Sequence, residues 1–230
     1  MKSFAFAAVA GMAAAIDVHE LEFMNYTAMF NKHYLQLELF EKRMSNFARA
    51  DKLIKEHNAT EANYTLSHNQ FSDWTEEEYQ KILGFKKTNS NADGGKCEQL
   101  YTESNADSVN WVTAGAVTPV KDQGACGSCW AFSTIGSLEG AHYIASGELL
   151  SFSEQQLVSC DKERSNNGCN GGFQDDAYEY YMEGNNAELE SVYPYTSGTY
   201  GYDGKCTYDV SSATAVTVSD YACVTTSNKD

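Results

Sequence analysis

The 230-residue sequence predicts an α+β protein in which helices come first and a strand pattern comes late. Two stretches, residues 18–57 and 128–146, carry apolar side chains at helical spacing. Residues 213–221 instead alternate apolar and polar side chains, which is typical of a half-buried strand. These observations predict a helical N-terminal segment, a second helical unit, and a strand near the end of the sequence.

The first 15 residues have the features of a secretory signal peptide. Lys2 precedes an apolar run from Phe4 to Met12, and small residues at 13–15 suit a signal peptidase. A short membrane anchor is the alternative, although the run is too short to span a bilayer. We therefore expect entry into the secretory pathway, a lysosome-like or vacuole-like compartment or the extracellular space as destination, and no membrane attachment after cleavage.

Charge and cysteine content fit that route. The sequence has 32 acidic and 16 basic residues, a formal net charge of −16, which disfavours binding to nucleic acid and to anionic membranes. The acidic surface is compatible with an acidic compartment, or it is simply a solvated face. Seven cysteines suit an oxidising compartment, in which disulfides persist.

The stretch Gln123-Gly-Ala-Cys126-Gly-Ser-Cys129-Trp130 places a thiol at the predicted start of the helix over 128–146. At a helix N-terminus the unpaired N–H groups and the positive end of the dipole favour the thiolate, which is the nucleophilic form. The amide of Gln123 and the backbone N–H of Cys129 could both donate hydrogen bonds to an oxyanion. The pattern therefore predicts a catalytic cysteine.

Two other interpretations of Cys126-x-x-Cys129 remain possible from the residues alone, a dithiol redox pair and half of a zinc site. A zinc site would usually need a second close pair of Cys or His, and the other cysteines offer none. A redox pair would be expected after a strong parallel strand, and the sequence shows no such strand there. A structural cysteine is plausible for Cys126 but not for Cys129.

The run from Gln123 to Ser133, followed by Gly168-Cys-Asn-Gly-Gly172, resembles the papain and cathepsin L family of cysteine proteases. The resemblance implies a papain-like fold with a helical left domain and a β-rich right domain, the latter mostly absent from this sequence. It also implies a monomer that hydrolyses peptides or proteins and needs no cofactor or metal. The implied site comprises the nucleophile Cys129, the oxyanion donor Gln123, a substrate-binding wall at Gly171 and Gly172, and a side-chain pocket beginning at Phe173.

The resemblance further implies two disulfides, Cys126 with Cys169 and Cys160 with Cys206. Four cysteines alone allow three pairings, so the pairing is not readable from the residues. Cys97 and Cys223 have no partner in the family pattern.

Residues 16–88 resemble the family's inhibitory prosegment, which implies an intramolecular inhibitor. The residues that match its two motifs are Arg43, Phe47, Ile54, Asn58, Asn69, Phe71 and Asp73. Leu39, Ala50 and Ser67 stand where the motifs have Glu, Asn and Gly. Residues 73–78 predict a capped helix start. Residues 89–105 have the composition of a linker with a processing site, and residues 106–230 match the N-terminal part of the peptidase domain.

A cysteine nucleophile of this kind needs an imidazole partner. Four of the five histidines precede residue 89, and His142 lies on the helix of Cys129 about 20 Å away at 1.5 Å per residue. The resemblance places the His and Asn further downstream, so we expect the sequence to be the N-terminal portion of a protease precursor. The alternatives are a secreted inhibitor acting in trans through the prosegment-like helices, and a catalytically inactive binding homologue.

Overall fold

The computed structural model describes residues 18–84 and 108–222. The predicted signal peptide, the predicted linker, Cys97 and Cys223 lie outside the described residues. The chain divides into two compact units, Met1–Tyr79 and Gln80–Asp230. The described ranges contain seven α-helices and no named strand, and none of these helices is long and apolar enough to cross a membrane.

Two amphipathic helices form the core of the first unit, which confirms the helical prediction for residues 18–57. Helix α1 spans Val18–Met29 and helix α2 spans Leu37–Asn58. They pack through the buried aromatic rings of Phe23, Tyr26 and Phe47, whose centroids lie 4.9–6.0 Å apart. Partly buried rings around this cluster extend it, so aromatic burial accounts for most of the apolar packing of the unit.

Asp73 is the polar centre of the first unit. Its carboxylate is fully buried and accepts hydrogen bonds from the hydroxyls of Tyr26 (3.1 Å) and Tyr34, with Lys32 Nζ at 3.3 Å. Arg43 donates to the backbone oxygen of Asp73 at 3.1 Å. A buried carboxylate is tolerated here because a cation and several donors surround it.

The other prosegment-motif residues hold the chain that follows α2. Asn58 bonds the N–H and the C=O of Leu66 with its side chain, each at 2.7 Å. Asn69 Oδ1 accepts from Phe71 N at 2.9 Å, and the ring of Phe71 packs edge-on against Trp74 at 4.9 Å. Ile54 is half-buried on α2.

Helix α3, Glu76–Ile82, begins with the cap that residues 73–78 predict. Thr75 Oγ1 accepts from Glu78 N at 3.2 Å, while Glu78 Oε2 accepts from Thr75 N at 2.9 Å. This reciprocal pair is a capping box. Arg43 holds the same glutamate through two guanidinium bonds of 2.5 and 2.7 Å.

The second unit is organised around helix α4, Cys129–Ser146, as predicted. Helices α5 (Glu154–Cys160) and α6 (Gln174–Met182) pack against it, and α7 (Ser197–Tyr200) is a single turn in a stretch expected to be irregular. The core contains the fully buried side chains of Trp130, Ile135, Phe152, Leu157 and Tyr181.

Two disulfides join the loops of the second unit. Cys126 pairs with Cys169, and Cys160 pairs with Cys206. These are the pairs that the family resemblance implies. Among the described cysteines only Cys129 is free.

The strand predicted for residues 213–221 is wrong for the described structure, because this stretch is irregular. Two backbone bonds tie it to Ala187, from Thr214 N at 3.0 Å and to Val216 O at 2.8 Å. Val216 and Val218 pack against the core, which explains the alternating pattern. Without a strand beside it in the described ranges, the segment has no ladder to join.

A buried ion cluster of Lys121, Glu139 and Glu154 includes the first residue of α5. Lys121 Nζ is 3.0 Å from Glu139 Oε1, 2.7 Å from Glu154 Oε1 and 3.0 Å from Phe152 O. Both glutamates are at most 2% exposed. Burial raises the pKa of Glu154 to about 7, although the Lys121 ammonium opposes that shift.

Glu154 in this cluster predicts a contribution to stability that is larger in acid than at neutral pH. The folded state holds the Glu154 proton above its ordinary pKa of 4.5, so this contribution is complete below pH 4.5 and lost as the pH rises through about 7. At about 1.4 kcal/mol per pKa unit, the rise of the pKa from 4.5 to about 7 gives a loss of about 3 kcal/mol between pH 4.5 and 8. Urea unfolding from pH 4.5 to 8 measures it, and Glu154→Gln should flatten the profile. An equally steep profile in that variant would contradict the assignment.

Candidate active site

Cys129 is the first residue of α4, and its side chain is half-buried. The helix begins there because Ser128 O accepts from Ala131 N (2.9 Å) and Phe132 N (3.2 Å). The thiol therefore lies at the end of the helix where N–H groups are unpaired and the dipole is positive. This is the placement that the sequence predicts.

Gln123 lies beside this helix end, on the turn that leads to Cys126. Its Nε2 donates to Cys126 O at 2.8 Å and to Ile82 O at 2.9 Å. The first bond fixes the amide on the turn of the cysteine. The second shows that the amide can hold a carbonyl oxygen that comes from another segment.

The glycine wall, residues 168–172, faces the turn of Cys129. It begins with a single 3-10 turn, Gly168–Asn170, and Gly171 has a φ of 108°, a left-handed value that favours glycine. The wall is attached to the cysteine turn twice at Cys169, by the disulfide to Cys126 and by Gly127 N donating to Cys169 O at 3.0 Å. Asp203 Oδ1 also accepts from Cys169 N at 2.6 Å.

Two buried side chains support the wall from behind. The indole N–H of Trp130 donates to Gly168 O at 3.1 Å. Asn166 Oδ1 accepts from Phe173 N at 2.6 Å, while its Nδ2 donates to Asp161 Oδ2 at 2.5 Å. Burial raises the pKa of Asp161 to about 6, and Asn166 opposes this by donating to the carboxylate. Phe173 itself is half-buried and precedes α6.

The end of α3 and the two residues after it lie against the site, within the second unit. Ile82 O accepts from Gln123, and Gly84 O accepts from Gly172 N at 3.2 Å. A Cβ placed on Gly84 would be 2.0 Å from Gly127 O and 3.3 Å from Cys129 Sγ. Residues 82–84 therefore occupy the space between the thiol and the glycine wall.

The structure thus places Cys129, Gln123, Gly171 and Gly172 around residues 82–84, while their catalytic and substrate-binding roles stay predictions. It adds four contributors that sequence reasoning missed: Ile82, Gly84, Asn166 and Tyr195. Tyr195 bonds both Gln123 and Ser128. Leu83-Gly84 was visible only as the end of a helix, and Tyr193-Pro-Tyr195 only as part of an irregular stretch, because neither contains a chemical signature of its own.

One group of described side chains could hold a metal ion, His19, Glu22 and Asp51 in the first unit. Lys55 Nζ already lies 2.7 Å from Asp51 Oδ2 and 3.3 Å from Glu22 Oε2. The lysine ammonium therefore supplies the positive charge that these carboxylates need. Cys126 is not available as a metal ligand or as the redox partner of Cys129, since it is bonded to Cys169.

Comparison with known proteins agrees with this geometry. Residues 105–230 match the papain family cysteine protease domain, and residues 23–79 match the cathepsin propeptide inhibitor domain (I29). Since the first match covers more than half of the sequence, the chain belongs to the papain family of cysteine proteases. The described residues 108–222 contain the helical left domain of the papain-like fold.

Individual relatives and solved structures are similar over most of the chain. Digestive cysteine proteinase 2 of Homarus americanus is 39% identical over 199 residues, 83% of this chain and 59% of the relative. Cysteine proteinase 15A of Pisum sativum is 42% identical over 217 residues, 90% of this chain and 58% of the relative. Digestive procathepsin L2 proteinase from Tenebrio molitor superposes with a TM-score of 0.77 at 30% identity, covering 89% of this chain and 67% of that one. The chain thus spans less than two thirds of the length of the Homarus americanus and Pisum sativum relatives.

The contacts of the wall predict a large cost for Gly172→Ala. The added Cβ would lie 2.2 Å from Asn166 Oδ1 and 2.7 Å from the Trp130 ring, and the hydrogen-bonded indole has little room to move. We expect the free energy of unfolding to fall by about 1–3 kcal/mol in urea titrations. Gly136→Ala, on α4 with nothing within 4 Å of its Cβ, is the control and should be neutral or stabilising. Equal stability of the two variants would contradict the contact.

Proposed function

We propose that the protein is the precursor of a cysteine peptidase, which hydrolyses peptide bonds through an acyl-thioester on Cys129. The observation that carries this is a free thiol at a helix start beside two donors that already hold peptide carbonyls. Gln123 Nε2 holds Ile82 O, and Gly172 N holds Gly84 O. A site that binds its own backbone in this way has the groups needed to bind a peptide substrate.

In the proposed reaction the Cys129 thiolate attacks the scissile carbonyl carbon, and a C–S bond forms while the oxygen becomes an oxyanion. Gln123 Nε2 and the backbone N–H of Cys129 donate to that oxygen. Collapse breaks the C–N bond, the amine leaves with a proton from an imidazole, and water then hydrolyses the thioester. His142 lies on α4, about 20 Å along the helix from Cys129, so it is not that imidazole.

The glycine wall would hold the substrate chain in an extended form. Gly172 N already donates to a peptide oxygen, that of Gly84, and a substrate carbonyl would replace it. Phe173 follows the wall and would contact a substrate side chain. Recognition mainly through backbone groups suits peptides and proteins of varied sequence.

The segment that ends at Gly84 serves, in this proposal, as an intramolecular inhibitor. Ile82 O takes the donor that the oxyanion would need, and Gly84 fills the space beside Cys129 Sγ. Residues 16–88 would form the prosegment, in which Asp73 and its donors preserve the fold, and residues 89–105 would be cut to release the peptidase domain at 106–230. Acidic pH should favour this release.

The setting proposed for this activity is the secretory pathway, ending in a lysosome-like or vacuole-like compartment or outside the cell. It follows from the predicted signal peptide at residues 1–15 and from the two disulfides. We propose a monomer, with peptide or protein substrates and the chain's own prosegment as partners.

The nucleophile is tested by Cys129→Ser in the protein expressed with its complete coding sequence and freed of its prosegment. Hydrolysis of a peptide amide should fall by at least about a thousandfold, because a serine hydroxyl at this position lacks the thiolate's reactivity. The matched control is Ser133→Ala, at an exposed position one turn along α4. Full activity of Cys129→Ser, or a wild type that instead inhibits a related protease without cleaving peptides, would refute the proposal.

The inhibitory contact predicts that Gly84→Ala opens the precursor. Its Cβ would lie 2.0 Å from a backbone oxygen that cannot move aside cheaply, so the segment should leave the thiol. We expect faster alkylation of Cys129 by iodoacetamide in the unprocessed chain, and no change after the prosegment is removed. Gly136→Ala controls for the substitution itself. Equal alkylation rates in all three unprocessed proteins would contradict the contact.

A further inference from the structure

We propose that Tyr195 is a positioning residue, whose hydroxyl holds Gln123 and the turn before Cys129 in the arrangement needed for acyl transfer. The inference rests on the proposed function, because it gives Tyr195 a role only through the oxyanion donors and the thiol. Among the described residues the Tyr195 hydroxyl bonds Gln123 at its backbone oxygen and Ser128 at its hydroxyl, not the thiol or the Gln123 amide. Its effect would therefore be indirect.

The hydroxyl of Tyr195 links two parts of the cysteine turn. Tyr195 Oη lies 2.8 Å from Gln123 O and 2.7 Å from Ser128 Oγ. A carbonyl only accepts, so the tyrosine must donate its single proton to Gln123 O. Ser128 must then donate to Tyr195 Oη, since two oxygens this close need a proton between them. The Tyr195 hydroxyl thus connects the start of the cysteine turn, at Gln123, with its end, at Ser128.

Each end of this link is connected to the proposed chemistry. Tyr195 holds the backbone oxygen of Gln123, and Cys126 O holds one N–H of its side-chain amide. The other N–H of that amide therefore points towards Ile82 O. Ser128 is fully buried and immediately precedes Cys129, and its carbonyl accepts the first N–H groups of α4. Movement of either residue would shift an oxyanion donor.

Tyr195 is itself fixed from several sides. Its backbone N–H donates to Glu190 Oε1 at 2.8 Å, and its ring meets Phe132 edge-on at 4.9 Å. Beyond it, Gly198 O accepts from Ala125 N at 2.8 Å, which ties the same loop to the cysteine turn again. Burial raises the pKa of Tyr195 to about 12, so the hydroxyl keeps its proton at physiological pH.

The test compares Tyr195→Phe with Tyr193→Phe in the processed protein, expressed with its complete coding sequence. Tyr193 is the matched control, because among the described residues its hydroxyl bonds Lys205 O and Thr207 N, each at 3.1 Å, and not the cysteine turn. Three quantities are measured: kcat and KM for a peptide amide, the rate of Cys129 alkylation by iodoacetamide, and hydrogen–deuterium exchange of the amides at 124–129.

We expect Tyr195→Phe to lower kcat by about tenfold, a fraction of the loss that follows removal of a whole oxyanion donor. KM and the alkylation rate should change little, because alkylation displaces iodide without forming an oxyanion. Amide exchange at 124–129 should become faster. Tyr193→Phe should match the wild type in all three measurements.

Parallel losses of hydrolysis and alkylation would overturn the inference, because they indicate a merely structural role. Unchanged amide exchange in Tyr195→Phe would also overturn it, whether or not the protein hydrolyses peptides. If the wild type cleaves no peptide while exchange still rises only in Tyr195→Phe, the proposed function and the catalytic role fail and only the structural tether stands. Should Tyr195→Phe not fold, Ser128→Ala removes one of the two bonds, and unchanged kcat and exchange in that variant would overturn the inference.

Discussion

The double attachment of Cys169 to the cysteine turn is the constraint on which the site depends. The thiol belongs to a helix and the glycine wall to a separate loop, so their spacing must be set by a cross-link. The disulfide to Cys126 and the bond from Gly127 N to Cys169 O provide it on adjacent residues. Asp203 and Trp130 then fix the wall from its far side. Loss of this attachment would separate the thiol from the glycine wall, even with α4 intact.

The sequence predicted the position of the thiol better than the residues that hold the surrounding loops in place. The apolar spacing of residues 128–146 was sufficient to place Cys129 at a helix start, because helix periodicity is a local property. The disulfide pairs followed only from family resemblance. Tyr195 could not be predicted, since it acts through a backbone oxygen 72 residues away, and Asn166 could not, since its bond to Phe173 N depends on a loop conformation without a sequence signature. The strand expected at 213–221 failed because alternation records one buried face, and a ladder also needs a neighbouring strand.

Two sets of buried polar groups in the second unit differ in the groups that they bond. In the first set, Lys121 bonds Glu139, Glu154 and Phe152 O, and Glu139 also accepts from Thr118 Oγ1 at 2.6 Å and from Phe152 N at 2.9 Å. Asp161 and Asn166 instead end at the backbone of Phe173, next to the wall. Protonation of Asp161 leaves Asn166 able to donate only to the unprotonated oxygen. Acidic pH that protonates Glu154 in the first set therefore also protonates Asp161, and it changes a hydrogen bond that supports the wall.

The proposed inhibition uses only backbone groups that a peptide substrate also has. Ile82 O and Gly84 O are ordinary peptide oxygens, and they occupy the Gln123 and Gly172 donors that a substrate would use. The segment has the advantage of covalent connection, which raises its effective concentration at the site. Cleavage of the connecting chain removes that advantage without altering a single donor. A change at Gln123 should accordingly weaken both segment binding and acyl transfer, whereas a change at Gly84 should weaken only the segment.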